Sequence, residues 1–469
     1  MYLQYFYDRS LAQASYMIGC QITGEAAIID PIRNIDMYLT VAKEQGFRIM
    51  GAIETHIHAD FVSGSAELAR RTGATIYYST EGERNGGYKW PPFLPVQGVI
   101  DEQTIHVGNI QLKAVHTPGH TPEHMTYELI DKGTTDQPIG LFTGDFIFVG
   151  NVGRPDLLET SLGVKGSAIQ GARQMFASIQ RFKKYEDYLQ IWPGHGAGSA
   201  CGKGLGSIPN STVGYEKRTN PALRYTNEQA FMDFLLDGQP EVPAYFAKMK
   251  EVNISGLTPL AAVPSTVEFH RPGDEVALLA TDKNNLIIDT RSATSFAMRS
   301  IPRTINIPYP DMFAEWMGRL ANYKDDIYLI ADSNDLKDIQ TIESNIGMDN
   351  IVGFFSPTIV ETAGNTNSYL NQDPKDVERQ RHAGQVQILD VRYQKEWEKA
   401  HIPGAIHIPL PQLNEQAHEL SFDQPVVVHC ASGKRSAIAA SILVNKGFDV
   451  MNLQGGFQQW QTDHFQTTS

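Results

Sequence analysis

Four apolar runs in the first 200 residues each stop at a turn that carries histidine or aspartate, and this recurrence constrains the fold more than any other feature. Ile49 to Ile53 leads into Thr55-His56-Ile57-His58-Ala59-Asp60-Phe61. Ile110 to Val115 leads into His116-Thr117-Pro118-Gly119-His120-Thr121. Ile139 to Phe142 leads into Thr143-Gly144-Asp145, and Tyr188 to Trp192 into Pro193-Gly194-His195-Gly196. Short apolar runs bounded by Gly or Pro read as buried strands. Polar ligands at the ends of several strands are what a sheet scaffold can bring together from distant parts of a chain.

In this order the four motifs resemble the metallo-β-lactamase superfamily, which folds as an αββα sandwich, over roughly residues 1–250. His-x-His-x-Asp-His is the usual opening of the two-metal hydrolases of that superfamily, and here Phe61 stands at the last position. A phenyl ring cannot ligate a metal, so Asp60 and His195 alone make a poor second metal site. His56, His120 and Asp145 make a two-His, one-carboxylate set, which with open positions is the facial triad of non-haem Fe(II) oxygenases. This choice resembles persulfide dioxygenases, and the resemblance implies one non-haem Fe(II) per chain. His58, Asp60 and His195 then become supporting or pocket residues. A second reading keeps His58 as a third metal ligand, as in zinc hydrolases of this fold.

Gly153-Arg154-Pro155-Asp156 and the stretch Ser211-Thr212-Val213 with Glu216, Arg218, Asn220 and Pro221 resemble the same segments of persulfide dioxygenases. Arg154, Lys203 and Arg218 are the candidate substrate-binding cations. A guanidinium at Arg154 can grip a carboxylate or phosphate in two places, or it can brace the loop through Asp156. Cys201 lies in a Gly-rich loop just after His195. With Lys203 nearby its thiol could be partly thiolate and accept or pass sulfur; otherwise it lines the pocket.

The C-terminal part carries an independent signal. Val426-Val427-Val428-His429 is an apolar strand, Cys430 opens the following loop, and a helix is predicted from about Ser436. Backbone N–H groups of such a loop, the helix dipole, Lys434 and Arg435 all favour a thiolate at Cys430. The loop runs Cys-x4-Arg, one residue shorter than the Cys-x5-Arg cradle that fits phosphate in Cys-based phosphatases. It resembles the active loop of rhodaneses, as do Asp390-Val391-Arg392, His401-Ile402-Pro403-Gly404 and the late Gly455-Gly456-Phe457 with Trp460. The resemblance implies a sulfurtransferase with Cys430 as nucleophile and Arg435 as its loop cation.

A repeat lies between the two signals. Ile288-Asp289-Thr290-Arg291 recurs as Leu389-Asp390-Val391-Arg392, and Ile305-Asn306-Ile307-Pro308 as Ile406-His407-Ile408-Pro409, each pair 101 residues apart. Two copies of one domain-sized unit follow. The first copy has Ala331-Asp332-Ser333-Asn334-Asp335 where the second has its Cys loop, so no sulfurtransferase chemistry is expected of it. Thr362 to Pro374, rich in Asn, Ser, Thr and Gly, reads as the linker.

The expected architecture is α/β throughout: residues 1–253 as the sandwich, 254–365 as a rhodanese-like domain without the Cys, and 366–469 as a catalytic rhodanese domain. The whole resembles the persulfide dioxygenase–rhodanese fusions of bacterial sulfide detoxification, of the CstB type. That family implies oxidation of a low-molecular-weight thiol persulfide or polysulfide with O2 to sulfite, and joining of sulfite to sulfane sulfur as thiosulfate. A zinc thioesterase of the glyoxalase II kind fused to a sulfurtransferase is the alternative.

The net charge of −14 argues against nucleic acid or anionic membrane as partner. No secretory signal and no transmembrane run are expected. Three scattered cysteines fit a reducing cytoplasm rather than a disulfide framework. A homo-oligomer is the default expectation.

Overall fold

The computed structural model describes residues 1–81, 87–256, 258–263 and 266–469. It divides into two compact units, Met1–Val263 with Thr341–Gly347, and Pro264–Gln340 with Met348–Ser469.

The first unit is built on two six-stranded sheets. One holds β1 (Tyr2–Asp8), β2 (Gln13–Cys20), β3 (Glu25–Ile29), β4 (Arg48–Ile53), β5 (Thr75–Ser79) and β6 (Val96–Val99) in chain order. The other holds β7 (Thr104–Val107), β8 (Ile110–His116), β9 (Met125–Asp131), β10 (Gly140–Gly144), β11 (Gln190–Pro193) and β12 (Ser211–Thr212), again in chain order. Alternate side chains of β2, β3, β8 and β9 meet between the sheets, where Tyr16, Ile18, Ile29, Leu112, Tyr127 and Phe142 are buried in one cluster. The outer face of the second sheet carries Leu141 and Ile191 against the helix Ser167–Phe182, whose Ala172, Met175, Ile179 and Phe182 repeat at helical spacing. Each sheet therefore buries both faces, which is why β10 and β11 read as unbroken apolar runs rather than alternating ones.

All four runs expected to be strands form strands, as β4, β8, β10 and β11. Because β3 pairs parallel to β4 and β10 parallel to β11, their C-terminal ends point the same way. That shared direction gathers Asp30, His56, Asp145 and His195 at one end of the sandwich.

The second unit contains two five-stranded parallel sheets of identical topology. The first is ordered β13 (Val267–Glu268), β17 (Ile351–Phe355), β16 (Asp326–Ile330), β14 (Asn285–Asp289), β15 (Ile305–Asn306). The second is ordered β18 (Leu370–Gln372), β22 (Val450–Leu453), β21 (Val426–His429), β19 (Gln387–Asp390), β20 (Ile406–His407). The repeat read in the sequence is a repeat in register: Asp289 lies opposite Asn306 and Ile330, and Asp390 opposite His407 and His429. The expected linker needs correction, since its residues Leu370–Gln372 are the edge strand of the last sheet. A polar composition hid a strand that pairs on one side only.

Each copy has the same internal brace. Arg291 donates to both oxygens of Asp289, and Arg392 donates to Asp390 at 2.6 to 3.0 Å while lying 4.0 Å over the Phe457 ring. The Asp390 carboxyl is held below its ordinary range: burial opposes this, and His429 and Arg392 outweigh it. A carboxylate with a depressed folded pKa stabilises above its unfolded value, near ~3.9, and that contribution is lost as pH falls through the folded value. Asp390→Asn is therefore expected to lower the stability of the second unit at pH 7 by about 3 kcal/mol, because it strands a buried guanidinium. The variant is also expected to lose less stability below pH ~4 than the parent. Urea unfolding at pH 7 and pH 3.5 reads both effects.

Candidate metal centre and cysteine loop

Among the described residues, three groups of buried donors meet at the C-terminal ends of the strands. Within each group one ligand atom per residue lies within 4.8 Å of the others. They are His56, His120 and Asp145; Asp60, His195 and Cys201; and Asp30, Glu54 and His58.

Hydrogen bonds fix which nitrogen each imidazole offers. Thr55 Oγ1 donates to Asp30 Oδ2 at 2.8 Å, so at 2.9 Å from His56 Nδ1 it accepts, and His56 is left with a lone pair on Nε2. His120 Nδ1 donates to the Arg154 carbonyl at 2.8 Å, again freeing Nε2, which lies 3.4 Å from Asp145 Oδ2. His195 Nδ1 donates to the Ala12 carbonyl at 3.0 Å, and its Nε2 lies 3.2 Å from Asp60 and 3.5 Å from Asp145. Outward N–H groups tied to the protein and inward nitrogens facing one carboxylate are the arrangement of metal-ligating histidines.

Electrostatics agree. Burial, then the neighbouring imidazoles, push His56 and His120 well below the ordinary histidine value, so both imidazoles are neutral. Burial raises the Asp145 carboxyl to about 6. Both oxygens of Asp145 and of Asp60 are buried without a hydrogen-bond partner among the described residues. Buried carboxylates rarely stay so unless they hold a metal or a proton, and the donor set therefore fits a cation.

His58 is different. Its Nε2 lies 3.2 Å from Asp30 and 3.3 Å from Glu54. Burial would lower its pKa, but the two carboxylates raise it well above the ordinary value. Its Nδ1 is buried without a hydrogen-bond partner among the described residues. Phe61 is fully buried with its ring 4.3 Å from the His58 ring, as a wall of the site.

Cys201 is brought to Asp60 and His195, so the second donor group is richer than those two residues alone. Of the two readings of Cys201, the surroundings favour a pocket-lining thiol over a thiolate. Burial first, then Asp60 and Asp145, push the Cys201 thiol well above its ordinary value. The three candidate substrate-binding cations are each engaged by protein groups, and at Arg154 the geometry matches the brace through Asp156. Arg154 is buried and donates to both Asp156 oxygens at 2.7 Å and to the Ala200 and Pro240 carbonyls, so it is a brace. Lys203 donates to the Phe234 and Asp237 carbonyls and lies 4.2 Å over the Phe234 ring. Arg218 is 78% exposed and pairs with Asp187 on the surface. Sequence adjacency to the motif said nothing about where three long side chains would point.

Several residues at the site were not legible in advance. His124, pushed down to about 3 chiefly by burial, accepts from the Asp145 backbone N–H at 3.0 Å and so fixes the carboxylate's position. Asn253, on the helix Tyr245–Ser255, donates to the carbonyls of His58 and Phe61. Tyr88 donates to the His56 carbonyl at 2.6 Å. Gly153 is required, since a Cβ there would lie 2.0 Å from the Asp145 carbonyl oxygen.

In the second unit Cys430 follows β21 and is buried. Its Sγ receives the Gly433 N–H at 3.2 Å and lies 3.5 Å from Ser436 Oγ, at the start of the helix Lys434–Asn445. Arg435 makes a bidentate pair with Glu396 at 2.7 Å and lies 5.1 Å from the Tyr393 ring. Gly456 (φ +60°) has room for no side chain, because a Cβ would lie 2.5 Å from the Cys430 carbonyl oxygen. In the first copy no cysteine stands at the equivalent turn.

Comparison with known proteins places two families on the chain. Residues 9–195 match the metallo-beta-lactamase superfamily, and residues 373–463 match the rhodanese-like domain. A solved metallo-beta-lactamase from Staphylococcus aureus subsp. aureus COL is 46% identical with a TM-score of 0.70, over 76% of this chain and 99% of that one. Hydroxyacylglutathione hydrolase of Polaromonas sp. strain JS666 is 27% identical over 271 residues, 51% of this chain and 93% of its own. A candidate sulfur carrier protein, YrkF of Bacillus subtilis strain 168, is 45% identical over 74 residues, 16% of this chain and 40% of its own. The chain spans 59% and 40% of the length of two of the curated relatives it matches. Among the described residues no helix is long and apolar enough to cross a membrane.

Proposed function

Since this chain belongs to the metallo-β-lactamase superfamily and carries a rhodanese-like domain after it, we propose that it oxidises thiol persulfides or polysulfides to sulfite and joins sulfite to sulfane sulfur as thiosulfate. The setting is a reducing cytoplasm, and the chain is of the CstB type. The observation that carries this reading is the donor set His56, His120 and Asp145, two neutral imidazoles and one carboxylate. His58 Nε2 faces two other carboxylates, Asp30 and Glu54, instead of this set.

These three residues would hold one Fe(II), which would supply the redox chemistry by which O2 oxidises a persulfide sulfur. The chain's own residues do the rest. His124 holds the Asp145 backbone, and the Thr55 hydroxyl and Arg154 carbonyl hold the two imidazoles, so the donors are set before substrate arrives. Phe61 and Phe148, both buried, line the site with apolar surface that excludes water. Asp60, His195 and Cys201 form the polar side of the pocket. The balance is persulfide plus O2 plus water giving thiol and sulfite. In the second unit a sulfane sulfur on Cys430 is attacked by sulfite. The S–S bond to Cys430 breaks, thiosulfate leaves, and the thiolate returns.

One observation favours a second reading. Asp60, His195 and Cys201 are a second group of buried donors, and His58 Nδ1 has no hydrogen-bond partner among the described residues. Two zinc ions held there would make a thioesterase fused to a sulfurtransferase, in line with the hydroxyacylglutathione hydrolase likeness. O2 uptake with a panel of persulfides, with metal quantified on the same sample, separates the two. About one iron per chain with persulfide-dependent O2 uptake is expected. Two tightly bound zincs with thioester hydrolysis would replace this reading with the second.

A further inference from the structure

The Cys-less copy does more than pack beside its neighbour, because it grips the helix that starts at the Cys430 loop. Ser441 Oγ on that helix accepts from the buried Asn306 N–H at 3.1 Å. Asn445, at the helix end, accepts from the Arg303 N–H at 2.7 Å and donates to the Thr304 carbonyl at 2.6 Å. All three hydrogen bonds come from residues 303–306 of the Cys-less copy, at β15.

The same copy also reaches the mouth of the loop. Asp311 pairs with Lys434, the first residue of the helix. Glu315 accepts from the Tyr393 hydroxyl at 3.3 Å and from Arg319 at 3.2 Å, and Arg319 lies 5.4 Å from the Tyr393 ring, which also faces Arg435. Arg435 itself is matched by Glu396. Thus each cation of the loop already has a carboxylate, and the one for Lys434 belongs to the Cys-less copy.

We propose that the Cys-less copy, through Asp311 on Lys434, cancels positive charge at the Cys430 mouth, so that the site holds anions loosely. The inference rests on the sulfurtransferase reading, for which thiosulfate, a dianion, must leave after each turnover. A mouth at which Lys434 stood unmatched would retain it longer. Asp311 and Lys434 are 65% and 57% exposed, so their pair adds little to stability and Asp311 variants should fold normally. Its effect lies in the local field, which solvent passes at short range and salt screens.

Alkylation of Cys430 reads that field without any turnover. The thiolate displaces iodide from iodoacetate, which is an anion, or from iodoacetamide, which is neutral, and the Cys430 peptide is followed by mass spectrometry in the full-length protein. At low ionic strength the iodoacetate-to-iodoacetamide rate ratio is expected to rise about 2- to 4-fold in Asp311→Asn, the scale of one charge within ~10 Å in water. In Asp311→Lys it should rise further, and in both the rise should shrink in 0.5 M salt, roughly one short screening length. An unchanged ratio in both variants, or a rise indifferent to salt, would overturn the proposal. Failure of the sulfurtransferase reading shows itself elsewhere, as thiosulfate formation that survives Cys430→Ser, and leaves the ratio measurable.

Discussion

His120→Ala is expected to strip the metal from the first unit and, with it, O2 uptake, while sulfur transfer at Cys430 continues. His120 is one of only two neutral imidazoles in the donor set, and alanine offers no replacement lone pair. Disturbing a residue that merely supports a ligand costs ~10- to 100-fold in metal affinity or activity. Removing a ligand should exceed that, so metal content should fall from about one per chain to below ~0.1. The mutation also leaves the Arg154 carbonyl without its donor, and Asp145 with one charge partner fewer. Both changes stay inside the first unit. Metal analysis, O2 uptake and a sulfurtransfer assay on one preparation decide the matter. A variant that keeps its metal would show that the ligands lie elsewhere, and Asp60, His195 and Cys201 would be the next set to test.

Cys430→Ser is expected to change the products far more than the oxidation rate. A serine hydroxyl cannot carry a sulfane sulfur as a persulfide, and its high pKa keeps it un-ionised beside the Gly433 N–H. Sulfur transfer should fall by at least ~10³-fold, the scale seen when an enzyme loses its nucleophile. O2 uptake should persist, sulfite should accumulate and thiosulfate should fall. Solution coupling of sulfite with persulfide makes thiosulfate slowly, so the sulfite-to-thiosulfate ratio is followed early in the reaction. Cys201→Ser is the companion: its thiol is buried and held protonated, so a direct part in sulfur transfer is not expected, and product ratios should match the parent. An unchanged ratio in Cys430→Ser would assign the rhodanese-like domain another purpose.

Local pattern determined much of this protein. Apolar runs ending in polar turns, three of them marked by Gly or Pro, placed β4, β8, β10 and β11, because strand length and the residues that break strands are short-range properties. The 101-residue repeat likewise carried the doubled topology of the second unit, since each copy buries the same residues of its own sheet. Only the tertiary structure decided where the long side chains went. Arg154, Lys203 and Arg218 each stand beside a ligand motif, yet each turns to carbonyls or carboxylates elsewhere, because a flexible side chain goes to the nearest unmet partner in space. It alone joined Cys201 to Asp60 and His195, set His58 between Asp30 and Glu54, and brought Asp311 to Lys434. Those partners lie up to 141 residues apart in the chain, and spacing along a sequence carries no information about such pairs until the sheets close over one another.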